Sequence, residues 1–88
     1  MSNYVEYAEW RKYMTFGEKV RSLREDADIN QTKLGAATGM TQRKISYLEC
    51  GRIEPGIDDI IALCSFFGVS ADYLLGLPHN LLYPDRRQ

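Results

Sequence analysis

Cysteine and histidine are scarce in this chain, and that scarcity excludes much chemistry at once. Two cysteines and one histidine occur among 88 residues. Cys50 and Cys64 stand 14 positions apart without CxxC spacing, and His79 lies in a proline-flanked segment away from both, so no four-ligand zinc site can be assembled. In a reducing compartment the two thiols are expected to sit buried as small hydrophobes, unbridged. Long apolar runs are also missing: nothing approaches the roughly 18 consecutive residues that a membrane span requires. The first fifteen residues carry Glu6, Glu9, Arg11 and Lys12 among their aromatics and lack the apolar stretch of a signal peptide. A cytoplasmic chain with no membrane association is expected. No carboxylate pair or nucleophile–base spacing can be recognised, which makes an enzyme the weakest reading. Neither cofactor nor metal is expected.

What is present reads as one globular domain. The composition is 44% hydrophobic and 26% charged, and a chain this short buries only about 60–65% of its unfolded surface, leaving room for a single core. The net charge of −1 hides a segregation. From Thr41 to Arg52 there are Arg43, Lys44 and Arg52 against the single acid Glu49, whereas Glu54, Asp58, Asp59 and Asp72 stand without a base between Ile53 and Pro78. The face carrying residues 41–52 is therefore locally positive, and local potential within a Debye length of about 8–10 Å is what a phosphate group feels.

Punctuation divides the chain into short helices. Thr15 and Glu18 have capping-box spacing, and Phe16, Val20, Leu23 and Ala27 follow the period of one buried face, so a helix is predicted from Phe16 to about Asp28. Asn30 caps a second helix, Gln31 to Thr38, with Leu34 and Ala37 inward and Gly39 as terminator. Thr41 caps a third, Gln42 to Cys50, with Ile45 and Leu48 inward and Gly51 at its end. After a turn at Glu54-Pro55-Gly56, the strongly apolar Ile57–Phe67 segment is expected to lie centrally in the core. Gly68 ends it, and Ser70 caps a last short helix up to Gly76. Asp58 and Asp59, at the start of the fourth helix, are accounted for by the helix dipole.

Two helices joined by a three-residue break that begins with glycine form a helix-turn-helix pattern. Such a unit reads DNA when polar side chains at the start of its second helix meet base edges and its first helix crosses the phosphate backbone. Gln42, Arg43 and Lys44 open the third helix on successive positions, with Tyr47 one turn on, and Ile45 and Leu48 turn that set away from the core. Arg43 or Lys44 suits guanine O6 and N7, Gln42 suits adenine N6 and N7, and Tyr47 can touch a thymine methyl or a phosphate. Candidates for phosphate contact are Asn30, Gln31 and Thr32 around the start of the second helix, together with Thr41, Ser46 and Arg52.

The span from Phe16 to Leu77 resembles the Cro and phage C1-repressor type of helix-turn-helix domain, also called the xenobiotic-response-element family. The matching residues are Val20-Arg21-x-Leu23-Arg24, Asn30-Gln31-x-x-Leu34, Ile45-x-x-Leu48-Glu49-x-Gly51, Glu54-Pro55, Phe67-Gly68-Val69-Ser70 and Tyr73-Leu74-Leu75-Gly76. The resemblance implies an all-α, five-helix, lambda-repressor-like DNA-binding domain. It further implies a homodimer on a palindromic double-stranded DNA operator, and regulation of transcription, chiefly repression, in a bacterial cell or phage-infected host. It also implies a structural ion pair between Arg24 and Glu49. Two positions depart from the family pattern: Gly35 stands where alanine is usual, which points to close approach or a loosened second helix, and Cys50 replaces a common asparagine.

Outside that span, Tyr4, Tyr7, Trp10, Tyr13 and Phe16 recur every three residues, and residues 3–14 are predicted to form an extra N-terminal helix. Residues 1–15 are thus an aromatic-rich extension, 16–77 the helix-turn-helix domain and 78–88 an irregular tail. The extension caps its own core, exchanges with a second subunit, or receives another protein or a small ligand. If the extension or the tail receives a toxin, the alternative function is that of an antitoxin-like autoregulatory protein. A third reading keeps the fold without DNA binding.

Overall fold

Thr15 starts the first helix as its spacing predicts: its hydroxyl accepts the Glu18 N–H at 3.1 Å, and the Glu18 carboxylate accepts the Thr15 N–H at 2.9 Å. The computed structural model describes residues 14–77. Among them the order is α1 (Phe16–Asp26), α2 (Gln31–Thr38), α3 (Gln42–Glu49), α4 (Ile57–Phe67) and α5 (Ala71–Leu75), with no strand. Asn30, Thr41 and Ser70 cap α2, α3 and α5, each accepting the N–H three residues on. None of these helices is long and apolar enough to cross a membrane. The predicted N-terminal helix with its aromatic stripe and the tail from Pro78 lie outside the described residues.

Each helix sends one fully buried aliphatic residue to a common centre: Val20, Leu34, Ile45, Leu63 and Leu74. Leu48, one turn beyond Ile45, is equally buried. Phe16, Leu23, Ile29, Met40, Cys64 and Phe67 close around the cluster as half-buried neighbours. Burying such a side chain fully stabilises by about 1.5–3 kcal/mol. Lys19 is the unexpected member of the interior. Its ammonium donates to the Tyr73 carbonyl at 3.1 Å and lies 4.4 Å from the centre of the Tyr73 ring, tying α1 to the last turn of α5. The same carbonyl also accepts the Gly76 N–H at 3.2 Å, and burial pushes the Lys19 pKa below its ordinary value.

Several expectations are corrected. The Ile57–Phe67 helix is not central on all sides: only Leu63 is fully buried among its apolar residues, while Ile57, Ile61 and Phe66 are 77%, 58% and 41% exposed. Among the described residues it packs chiefly against α2 and α5, with Asp59 reaching Lys44 of α3. Ala37 and Ala27, expected inward, are exposed, as is Cys50. Only the other thiol is partly sheltered, and burial raises the Cys64 pKa. Asp59 does more than favour a helix dipole, because it is buried and holds two partners described below.

Candidate nucleic-acid interface

Gly39 takes the left-handed conformation (φ 78°), allowing the chain to leave α2 and enter α3 within three residues. Gly35 shows which of its two readings holds: a Cβ there would lie 2.5 Å from the Met40 carbonyl oxygen, so its absence permits close packing of the turn on α2. On the opposite side, α1 approaches the end of α3 so closely that a Cβ on Gly17 would collide with the carbonyl oxygens of Leu48 and Glu49. The sequence reading missed Gly17. Its partner lies more than thirty residues away, beyond the reach of any local pattern.

Arg24 and Glu49 form the ion pair that the resemblance implies. Arg24 Nε and Nη2 donate to the two Glu49 oxygens at 2.7 and 3.1 Å, and Nη1 donates to the Ile29 carbonyl at 3.0 Å. Their side chains are only 12% and 4% exposed. Hydrogen bonding to Glu49 raises the Arg24 pKa further above its ordinary value, against the opposing effect of burial. Such an arrangement chiefly fixes orientation, because removing either partner strands the other's charge.

The same carboxylate begins a relay that reaches the surface. Gln31 Nε2 donates to Glu49 Oε1 at 3.0 Å, and Gln42 Nε2 donates to Gln31 Oε1 at 2.7 Å. An ionised carboxylate can only accept, so it turns the Gln31 amino group toward itself and the Gln31 oxygen toward Gln42. The Gln42 oxygen and its second amino hydrogen remain available at the exposed start of α3.

Arg43 is exposed beside it and has no ion-pair partner among the described residues. Lys44 is differently placed, with its ammonium 2.9 Å from Asp59 Oδ1. Tyr47 is half-buried and stacks under the Arg52 guanidinium, 4.8 Å from its ring centre. Thr32, Asn30 and Thr41 are exposed, and the latter two hold the first turns of α2 and α3 with their side-chain oxygens. Ser46 is half-buried.

The match to known proteins falls on this same unit. A family model described as a helix-turn-helix domain matches residues 15–75. The chain belongs to this helix-turn-helix family, in its Cro and C1-repressor type. It is 30% identical over 64 residues to the SPbeta prophage-derived uncharacterized HTH-type transcriptional regulator YonR of Bacillus subtilis (strain 168), covering 73% of this chain and 59% of that protein. To Repressor protein C2 of Salmonella phage P22 it is 36% identical over 59 residues, covering 67% of this chain and 27% of that one. The chain thus spans less than two thirds of either relative. A crystal structure of the P22 c2 repressor in complex with synthetic operator 9T superposes with a TM-score of 0.68 at 34% identity, covering 70% of this chain and 94% of that one.

Within this helix-turn-helix, the expected base-facing residues divide into two groups. Gln42 and Arg43 stand at the exposed start of α3, while Lys44 and Tyr47 are engaged with Asp59 and Arg52. Sequence reasoning did not connect Asp59 to the site. Its position three residues after Gly56 signals a helix start but says nothing of Lys44.

Proposed function

We propose that this chain is a sequence-specific DNA-binding transcriptional regulator, a repressor, that lays α3 in the major groove of an operator. The observation that carries this reading is the relay from Glu49 through Gln31 to Gln42, which orients an amide at the exposed start of α3. The free carbonyl oxygen and N–H of Gln42 match the N6 donor and N7 acceptor of adenine. Arg43 offers a fork for guanine O6 and N7. Thr32, Asn30 and the free backbone N–H groups at the start of α2 suit phosphate, as do Thr41, Ser46 and Arg52 at the flanks. The structural likeness to an operator-bound repressor supports the same docking. In this reading the protein acts in the cytoplasm as a homodimer on a palindromic site.

The test is selection of bound duplexes from a random pool, followed by titration of the selected duplex and a scrambled one at two salt concentrations. A palindromic consensus with salt-sensitive affinity is expected. Arg43→Ala should lose about 1–3 kcal/mol of discrimination at one position in each half-site. Equal weak binding of both duplexes by the wild type would overturn the reading.

A further inference from the structure

Asp59 belongs to α4, yet its two oxygens are divided between the start of its own helix and the recognition helix. Oδ2 accepts the Gly56 N–H at 2.8 Å, and Oδ1 lies 2.9 Å from the Lys44 ammonium. The backbone bond sets the carboxylate's orientation, and that orientation aims the second oxygen at α3. In an ordinary surface ion pair two flexible side chains must be ordered together, which weakens the pair. Here the acid is already held and only 12% exposed, so only the lysine remains to be ordered. Burial alone would raise the Asp59 pKa, but the Gly56 N–H and the Lys44 ammonium outweigh it and hold the carboxyl below its ordinary range.

The consequence concerns charge at the groove. Arg24 is neutralised by Glu49 and Lys44 by Asp59, which leaves Arg43 and Arg52 as the cations of the 41–52 segment without an ion-pair partner among the described residues. Nonspecific affinity grows with each phosphate that a cation neutralises, and a regulator must find its site among a large excess of competing sequences. Resting on the DNA-reading function above, we propose that Asp59 restrains Lys44 from the DNA backbone. It thereby lowers sequence-independent affinity and leaves discrimination to Gln42 and Arg43.

The experiment titrates wild type, Asp59→Asn, Lys44→Ala and the double variant against the selected and a random duplex over a range of salt. Asparagine retains a carbonyl for the Gly56 N–H, so circular dichroism and thermal unfolding should report a folded protein. In Asp59→Asn the released lysine should steepen the slope of log K against log salt on random duplex by about 0.9. That corresponds to about fivefold tighter random binding at about 0.15 M salt, relative to a reference near 1 M where the contact contributes nothing. Binding to the selected duplex should tighten by a similar factor, because a phosphate contact carries no sequence information, and the preference itself should change little. Adding Lys44→Ala should abolish the gain, and Lys44→Ala alone should leave the slope nearly unchanged.

An unchanged slope in a folded Asp59→Asn protein overturns the proposal, as does a gain that persists in the double variant. Should Asp59→Asn fail to fold, Lys44→Ala decides alone: an unchanged slope supports the restraint, and a loss near 0.9 refutes it. A wild type without preference for the selected duplex overturns the DNA-reading function and this inference together. Preference in the wild type with no response to Asp59→Asn overturns only the inference.

Discussion

Helices α3 and α4 invert the relation between apolar composition and burial. The sequence of α3, QRKISYLE, holds few apolar residues, yet Ile45, Leu48 and Glu49 are all buried. By contrast α4, IDDIIALCSFF, is apolar along most of its length and leaves Ile57, Ile61 and Phe66 exposed. The difference lies in neighbours: α3 is packed by α1 and α2 and tied to α4 through Lys44, whereas α4 meets α2 and α5. Hydrophobicity makes burial favourable, but a face is buried only where another element arrives to cover it.

The contrast would break most visibly at Glu49. Replacing it by alanine should destabilise by about 3–5 kcal/mol, since Arg24 is left charged with little access to water. Urea unfolding measures this, and a loss below about 1 kcal/mol would mean that the α1–α3 contact is held by packing alone. On α4 the inequality should appear within one helix. Leu63→Ala is expected to cost about 2–5 kcal/mol, while Ile61→Ala should stay within about 0.5 kcal/mol of wild type. Similar losses at both positions would indicate that the outer face of α4 is covered in solution.

Gly17→Ala should cost about 1–3 kcal/mol by forcing α1 away from the carbonyls at the end of α3, with the shift visible in amide spectra of both helices. The smallest effect is acid dependence at the α3–α4 tie. Asp59 has a depressed pKa when folded, so its stabilising contribution is complete above the unfolded value of about 3.9 and is lost as pH falls through the lower folded value. With Lys44 41% exposed, the part due to the ion pair should not exceed about 1 kcal/mol. The stability gap between wild type and Lys44→Ala should therefore close at low pH, and a gap independent of pH would dissociate the pair from stability.

Most of the helix map was legible because its signals act over three or four residues. The Thr15–Glu18 capping box, the caps Asn30, Thr41 and Ser70, and the left-handed glycines after α2, α4 and α5 all lie where the spacing placed them. Val20, Leu34, Ile45 and Leu48 were legible from helical period as core residues. The Arg24–Glu49 pair was reached through family resemblance, since nothing in the spacing of two charges 25 residues apart requires them to meet. Ala37 was misplaced because periodicity identifies a face but not its width, and Cys50 because a small apolar-like residue beside a helix end carries no directional signal.

Local order was thus written along the chain itself: five helices, their ends, and a polar edge at the start of the third. Capping, helical period and the left-handed turns need only near neighbours in sequence, and those neighbours are present in any conformation. Tertiary structure decided which exposed polar groups were free. Glu49 orients Gln31 and through it Gln42, and Asp59 draws Lys44 aside. Gly17 admits α1 to the back of α3. Each depends on groups brought within a few ångströms from distant positions, and only the assembled core holds them there.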